Sequence, residues 1–226
     1  MGFDFGFMGR LIPIMLKYST VTLKLSFLAI SIGVTVAFFI AMIIHAKVPV
    51  LNRFFKIYIS FFRGTPLMAQ LFCFYFGILP IFKDLVLKVS SFYAALIILS
   101  LCSSAYMAES IRAAISSIHK GQMEAAQSIG MTYLQTMFRI ILPQAIKVAI
   151  PTLFSTFINI VKDTSLVFAI GVKEMMAVAQ LEGASGYRYL EAYVCVLLVY
   201  WGITSILGLV QKRMETKLEK SVGEMA

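Results

Sequence analysis

The sequence has 226 residues, of which 60% are hydrophobic and 14% are charged, and its formal net charge is +9. A soluble domain typically has nearly half apolar residues and about a quarter charged residues. This composition excludes an ordinary soluble protein and predicts an integral membrane protein in contact with lipid. In that setting the excess of Lys and Arg indicates orientation in the membrane, and we expect no nucleic-acid partner.

Long uncharged runs predict five membrane-spanning helices in one all-α domain, residues 1–226. A bilayer core of about 30 Å requires about 20 apolar residues in helical form. Three runs reach this length, at 25–44, 89–108 and 192–211, and shorter runs occur at 64–82 and 148–161. The predicted helices cover about 20–46, 54–80, 91–115, 145–168 and 189–212.

The ends of the predicted helices carry charges that indicate a topology. Residues 3–18 are apolar with scattered charges, which predicts an interfacial segment lying on the membrane. Of the 20 Lys and Arg residues, Lys162 falls within a predicted span, twelve fall on one side of the spans and seven on the other, Lys83 and Lys88 among the seven. Because cytoplasmic loops are enriched in Lys and Arg, the N-terminus is predicted outside and the C-terminus in the cytoplasm. Residues 171–188 are predicted to form a short helix on the outer face.

The start of the second predicted helix is disturbed by the sequence Arg63-Gly64-Thr65-Pro66. Gly and Pro both interrupt helices, so Arg63, Gly64 and Pro66 are candidates for a gate or hinge. The alternative is an ordinary loop boundary. Gln70, one turn further on, is a candidate cavity residue.

A polar segment between the third and fourth predicted helices, about 116–143, contains local folding signals. Residues 120–129 are compatible with a helix, and Gly130 can adopt the left-handed conformation that often ends one. Thr132 is a predicted N-cap with Gln135 as its capping-box partner. Because Pro143 cannot continue a helical hydrogen-bond ladder, the second helix is predicted to end at Leu142.

Seven residues within this segment form a spaced pattern: Glu124-Ala125-Ala126, Gly130, Ile140, Leu142 and Pro143. The pattern resembles the loop by which permease subunits of prokaryotic ABC importers dock on their ATPase. The resemblance implies a type I ABC importer transmembrane domain with five helices and a cytoplasmic coupling helix between helices 3 and 4. It assigns ATPase coupling to Glu124, Ala125, Ala126, Gly130, Leu142 and Pro143. The alternative is an amphipathic interfacial helix without a partner.

Other blocks are similar to permeases for polar amino acids. These blocks are TLKLS at 22–26, FFRGTPLMAQLF at 61–72, AYMAES at 105–110 and KDTSL at 162–166. The stretch 113–145 is similar to the L-cystine branch. The resemblance implies an inner-membrane permease for L-cystine, with glutamine, arginine or histidine as the alternative substrates.

The resemblance also implies partners. They are an ATP-binding cassette ATPase dimer, an extracytoplasmic amino acid-binding protein and a second permease subunit, identical or homologous. The chain has no G-x-x-x-x-G-K-[ST] loop for nucleotide phosphates. We therefore expect no enzymatic activity and no cofactor on this chain, with ATP and Mg bound by the partner ATPase.

Polar residues in the predicted spans are candidates for a substrate path. Ionisable groups inside a membrane are costly and suggest a pathway or a pair. The candidates are Gln70, Ser100, Ser103, Ser104, Asn159, Lys162, Asp163 and Ser165, with Ser155 predicted on the face of Asn159 and Asp163. Lys162 suits an amino acid carboxylate, and Asp163 or Asn159 an ammonium. The alternative is an interfacial ion pair, with hydroxyls that only bond helix backbones.

Other function classes fit the sequence less well. A secondary transporter is expected to show internal repeats, and we find none. A membrane scaffold that binds an ATPase without moving solute stays open. No catalytic constellation suggests a membrane enzyme, and the three widely spaced cysteines suggest neither a metal site nor a disulfide.

Overall fold

The computed structural model describes residues 2–82 and 89–223, and every regular element within those ranges is helical. The α-helices are α1 (Phe5–His45), α2 (Pro49–Gly64), α3 (Leu67–Phe72), α4 (Leu79–Ile81), α5 (Ser91–Ser117), α6 (Lys120–Ser128), α7 (Tyr133–Thr136), α8 (Leu142–Asp163), α9 (Met175–Gly186) and α10 (Tyr189–Gly223). Two π-helical segments, Cys73–Ile78 and Met137–Ile141, and a 3-10 helix, Thr164–Ile170, connect some of them. The predicted outer loop with Lys83 and Lys88 lies outside the described residues.

Within the described ranges, four helices are long and apolar enough to cross a membrane, or five if one bent pair forms a single span. The bent pair is α2 followed by the stretch Leu67–Ile81, whose axes differ by 109°. The helix predicted over 54–80 is thus divided at the segment 63–66, where the sequence predicted a disturbance. Thr65 is extended and precedes Pro66, and a residue before proline is disfavoured in the helical region, so the break falls within the segment 63–66.

The first helix is longer than predicted. The structure has one helix from Phe5 to His45 where the sequence predicted a separate interfacial segment at 3–18 and a span from residue 20. Met8, Leu11 and Met15 are buried in a cluster with side chains of α9 and α10. Their spacing of three and four residues places them on one helical face, and this contact with protein explains why the helix continues.

The helix that leaves the polar segment is also continuous, because Tyr133–Ile170 forms one helical rod of 38 residues. The prediction that a helix ends at Leu142 is wrong, because Pro143 lies in the first turn of α8. A π-helical segment immediately before it, Met137–Ile141, widens the backbone where the proline ring would otherwise meet the carbonyl four residues earlier. The α-helix then ends at Asp163 and continues as a 3-10 helix.

The core is formed mainly by α1 lying along α5, with α8 and α10 packed beside them. Small residues at the crossing of α1 and α5, among them Ala37, Ala41, Ala105 and Ala108, are fully buried. Small side chains let the backbones of membrane helices approach closely. At one end, α9 occupies the region of the predicted outer helix and contacts α1 and α10.

Candidate functional site

A cavity of about 530 Å³ lies between the break after α2, the middle of α5 and the end of α8. Its wall is formed by Thr65, Pro66, Leu67, Leu99, Cys102, Ser103, Tyr106, Thr156, Asn159, Ile160, Lys162 and Asp163. The wall combines apolar side chains with a few polar groups and one charge of each sign. This is the usual composition of a small-molecule site.

One face of α8 supplies the polar wall. Thr156, Asn159 and Asp163 recur at three and four residues and line the cavity, and Lys162 lies beside them. The predicted face through Ser155 is wrong, because Ser155 Oγ accepts a 2.9 Å hydrogen bond from Gln211 Nε2 of α10. Thr156 replaces it.

Lys162 and Asp163 are neighbours in sequence, and both reach the cavity. Lys162 is exposed and Asp163 is half-buried. Among the ion pairs within the described residues, none joins these two side chains. The two charges are therefore separate groups at the cavity, as a zwitterionic ligand requires.

Of the three serines predicted on α5, the structure brings only Ser103 to the cavity. The Ser100 hydroxyl donates to Leu96 O at 2.6 Å, and Ser104 Oγ lies 2.7 Å from Tyr58 Oη of α2. Both serines are buried against neighbouring helices. Their role in a substrate path stays a prediction; in this chain Ser100 bonds a carbonyl of its own helix and Ser104 contacts Tyr58 of α2.

Gln70 and Ser165 are also outside the cavity wall. The Gln70 side chain is buried, and its Nε2 lies within 3.1 Å of Phe62 O and Thr65 O and 2.8 Å from Thr65 Oγ1. It fastens the two sides of the break between α2 and α3. Ser165 is half-buried in the 3-10 helix beyond α8.

Tyr106 is a cavity residue that the sequence reasoning missed. Its ring lines the wall, and the Arg63 guanidinium lies 5.5 Å from its centroid, a distance typical of a cation–π contact. One turn further on, Arg112 donates to both carboxylate oxygens of Glu109 at 2.5 and 3.0 Å. Tyr106 lies three residues after Ser103 and therefore on the same helical face, which is the sequence signal that could have identified it.

Arg63 also lines a second opening of about 710 Å³ between α1, α2 and α5. Lys47, Lys56 and Arg112 contribute to its wall together with Glu109. This opening is larger than the cavity at α8, but its polar residues do not include Asn159 or Asp163. We therefore locate the candidate substrate site at the α8 cavity.

The turn between α6 and α7 forms as its local signals predict. Gly130 has φ +85°, and Thr132 and Gln135 form a reciprocal capping box with bonds of 2.9 and 3.3 Å. His119 caps α6 by accepting a hydrogen bond from Gly121 N–H at 3.2 Å, which the sequence reasoning did not predict.

The exposed surface of the polar segment between α5 and α8 includes four large apolar side chains among polar ones. Ile129 and Leu134 are 80% and 62% exposed, and Tyr133 and Phe138 are exposed beside them. Contiguous exposed apolar side chains mark an interaction surface. We call these four residues the docking surface.

The residues predicted to couple to an ATPase divide into two groups. Glu124, Ala125, Gly130 and Pro143 are exposed, whereas Ala126 and Leu142 are buried. The coupling contact predicted for Ala126 and Leu142 stays a prediction, and in this chain both side chains are buried. The helical turn of α6 points Ala126 inward, toward α7 and the π-helical segment that α6 contacts.

A bundle of helices long and apolar enough to span a membrane, with a charged cavity beside a broken helix and a helix–turn–helix that exposes apolar side chains, is the architecture expected of a transport permease. The chain matches the family described as binding-protein-dependent transport system inner membrane component over residues 32–220, and it belongs to that family. It is an amino acid ABC importer permease, a multi-pass inner membrane protein of the type I importer fold.

Curated relatives and a solved structure match nearly the whole chain. The probable amino-acid ABC transporter permease protein PatM of Vibrio harveyi is 48% identical, covering 98% of this chain and 99% of its own length. The L-cystine transport system permease protein TcyL of Bacillus subtilis is 37% identical, covering 97% and 93%. The crystal structure of an amino acid ABC transporter with histidines matches with a TM-score of 0.89 and 34% identity, covering 96% of this chain and all of that chain.

Proposed function

We propose that this chain forms the alternating-access path for L-cystine and couples it to ATP hydrolysis on a separate ATPase. The observation that carries the proposal is the position of the cavity. Asn159, Lys162 and Asp163 lie at one end of a helical rod that begins beside the docking surface at Tyr133. Displacement of the rod at the docking surface therefore also displaces the end of the rod that lines the cavity.

The α8 cavity is suited to an amino acid. The carboxylate of the substrate pairs with the ammonium group of Lys162. The ammonium group of the substrate pairs with the side chains of Asp163 and Asn159. Hydrogen bonds to charged groups contribute about 1.5–3 kcal/mol each. Leu67, Leu99 and Ile160 provide an apolar wall for the side chain, while Thr65 and Ser103 offer hydroxyls.

L-cystine is favoured by similarity to relatives. Two Bacillus subtilis relatives at 37% and 41% identity are named L-cystine permeases. A relative named arginine permease is 36% identical, and one named probable glutamine permease is 41% identical over a shorter stretch. A solved amino acid ABC transporter at 34% identity is described as having histidines. Arginine, glutamine and histidine are therefore the alternative substrates.

ATP and Mg belong to the partner ATPase dimer, which docks on the surface of Ile129, Tyr133, Leu134 and Phe138. Glu124 and Ala125 are exposed on α6 beside it. The N-terminus lies outside, and the binding protein delivers substrate to the outer face near α9. A second permease subunit, identical or homologous, completes the path.

In this mechanism the permease makes and breaks no covalent bond. Closure of the ATPases moves α6 and α7, and α8 carries the movement to the cavity wall. The break at Thr65 and Pro66 lets the opposite wall respond. The cavity then opens first outward and afterwards inward, a change of population between two states.

The test is ATP-dependent uptake of radiolabelled L-cystine into vesicles that contain this chain, its ATPase and its binding protein. We expect saturable uptake that excess glutamine and arginine do not inhibit. Uptake inhibited by either competitor would replace L-cystine with that amino acid. A verified complex without ATP-driven uptake of any of them would overturn the transport proposal and favour a scaffold.

A further inference from the structure

Two glutamine side chains join α6 directly to the first turn of α8. Gln122 Nε2 donates a 3.0 Å hydrogen bond to Gln144 Oε1, and Gln144 Nε2 donates to Gln122 Oε1 in the opposite direction. The residues are 22 positions apart. Gln144 Nε2 also lies 2.9 Å from Ile140 O, which fixes its side chain against its own helix.

The connection spans the two non-helical points that flank α6. Ile118 and His119 are outside the helical region on one side of α6, and Gly130 is left-handed on the other. A tilt of the nine-residue helix between these two points is already opposed by the packing of Met123 and of the buried Ala126. The paired amides oppose that tilt, because both hydrogen bonds would break together.

The geometry points to a positioning role for Gln122 and Gln144: we propose that this amide pair transmits displacement of α6 to α8 and thereby to the cavity. Asn159 and Asp163 lie about 20–30 Å along the helix from Gln144 at 1.5 Å per residue. The segment between them is one α-helix, with Pro151 inside it. The inference rests on the proposed docking of an ATPase, but not on the identity of the substrate.

The surroundings of the pair fit this role. Both side chains are half-buried, so the bonds are partly shielded from competing water. Met123, next to Gln122, packs against the buried cluster that contains Met137 and Ile141. Glu124 and Ala125 face solvent. Helix α6 therefore has an inner face that is joined to the protein and an outer face that is free for a partner.

The test measures the accessibility of the α8 cavity and does not measure substrate transport. In a chain with Cys73, Cys102 and Cys195 replaced by Ala, Thr156→Cys places one thiol on the cavity wall. The complex with the ATPase is labelled with a maleimide, without nucleotide and after trapping with ATP and vanadate. The ratio of the two labelling rates reports movement of α8, whichever amino acid is carried.

We expect a nucleotide-dependent ratio with the natural pair and a loss of that dependence with Gln122→Ala or Gln144→Ala. One net hydrogen bond corresponds to about a fivefold change in an equilibrium, so the effect of nucleotide should fall about fivefold or more. Combining both substitutions should add little, because either one removes the whole pair. The charged pair Gln122→Glu with Gln144→Lys should restore the ratio.

Co-purification of the ATPase is measured for every variant. If the amide pair had a purely structural role, its loss would reduce assembly with the ATPase and not the effect of nucleotide on labelling. An unchanged ratio in assembled alanine variants would overturn the inference. If the alanine variants do not assemble, the charged pair decides: a normal ratio supports the inference, and a lost ratio overturns it. Absence of any nucleotide effect with the natural pair would refute the proposed docking itself.

Discussion

Gly33 of α1 lies directly against Ser103 of α5, so closely that a Cβ built on Gly33 would be 2.3 Å from Ser103 Oγ. It would also lie 3.4 Å from Ser100 O. Gly33→Ala should therefore separate the two helices and lower stability by about 1–3 kcal/mol, the usual cost of overpacking. Thermal unfolding of the purified chain in detergent measures the loss.

Ser103→Ala provides the matched control for this contact. Removing the hydroxyl removes the atom at 2.3 Å, while Ser103 Cβ stays at the acceptable distance of 3.3 Å with a small shift. The double variant should recover most of the stability lost in Gly33→Ala. Equal losses in the single and double variants would show that another contact causes the effect.

The break between α2 and α3 should depend on the amide of Gln70. Gln70→Leu keeps most of the volume but leaves Phe62 O and Thr65 O without their donor, which should cost about 1–3 kcal/mol. Thr65→Val removes the hydroxyl that accepts from Gln70 Nε2 and donates to Phe61 O, and it should cost less because Phe62 O and Thr65 O keep their donor. Thermal unfolding compares the two, and an equal or larger loss for Thr65→Val would contradict the bracing role of Gln70.

The charge of Asp163 should matter more than its shape. Asp163→Asn preserves the size of the side chain, and loss of a charged partner for an ammonium should weaken amino acid uptake at low concentration about tenfold or more. Asp163→Glu keeps the charge and should retain more uptake. Vesicle uptake at several concentrations distinguishes them, and equal activity of the two variants would argue against the pairing.

The docking surface should lose its partner when it becomes polar. Leu134→Gln exchanges an exposed apolar side chain whose burial is worth about 1.5–3 kcal/mol, so ATPase association should weaken about tenfold or more. Leu181→Gln makes the same exchange at an exposed leucine of α9 and should leave association unchanged. Co-purification from membranes measures both, and similar losses would exclude a specific surface.

Stability near α9 should depend on pH through Glu174. Its side chain is fully buried, accepts hydrogen bonds from Ala177 N–H and Tyr200 Oη–H at 3.0 and 2.8 Å, and burial raises its pKa above the ordinary 4.5. A raised carboxyl pKa contributes stability below 4.5 that is lost as pH rises through the folded value. The stability of the natural chain relative to Glu174→Gln should fall with rising pH. Parallel thermal-unfolding curves across pH would contradict this.

Local signals explain which parts of the loop could be predicted from sequence. The capping box of Thr132 and Gln135 and the left-handed turn at Gly130 involve neighbours within a few residues, so no distant contact was needed to specify them. Pro143 is a local signal that failed. The π-helical segment before it changes the backbone that the proline meets, and nothing in the proline itself reveals that change.

The cavity shows the opposite case. Lys162, Asp163 and Asn159 could be named because charged and amide groups are rare in an apolar span. Ser155 and Thr156 are adjacent and chemically alike, yet only Thr156 lines the cavity, because Gln211 of α10 bonds the hydroxyl of Ser155. Tyr106 was missed and Ser104 was misplaced for the same reason: partners from α2 decide their positions.

The sequence by itself determined that this is a membrane protein, where its apolar helices lie and how the loop turns, since composition and short-range hydrogen bonding suffice for each. The tertiary structure alone decided which side chains meet. A helix presents side chains in every direction, and packing against residues distant in sequence determines which of those directions are buried and which line a cavity. Packing between residues distant in sequence determines both the contact of Gly33 with Ser103 and the pairing of Gln122 with Gln144.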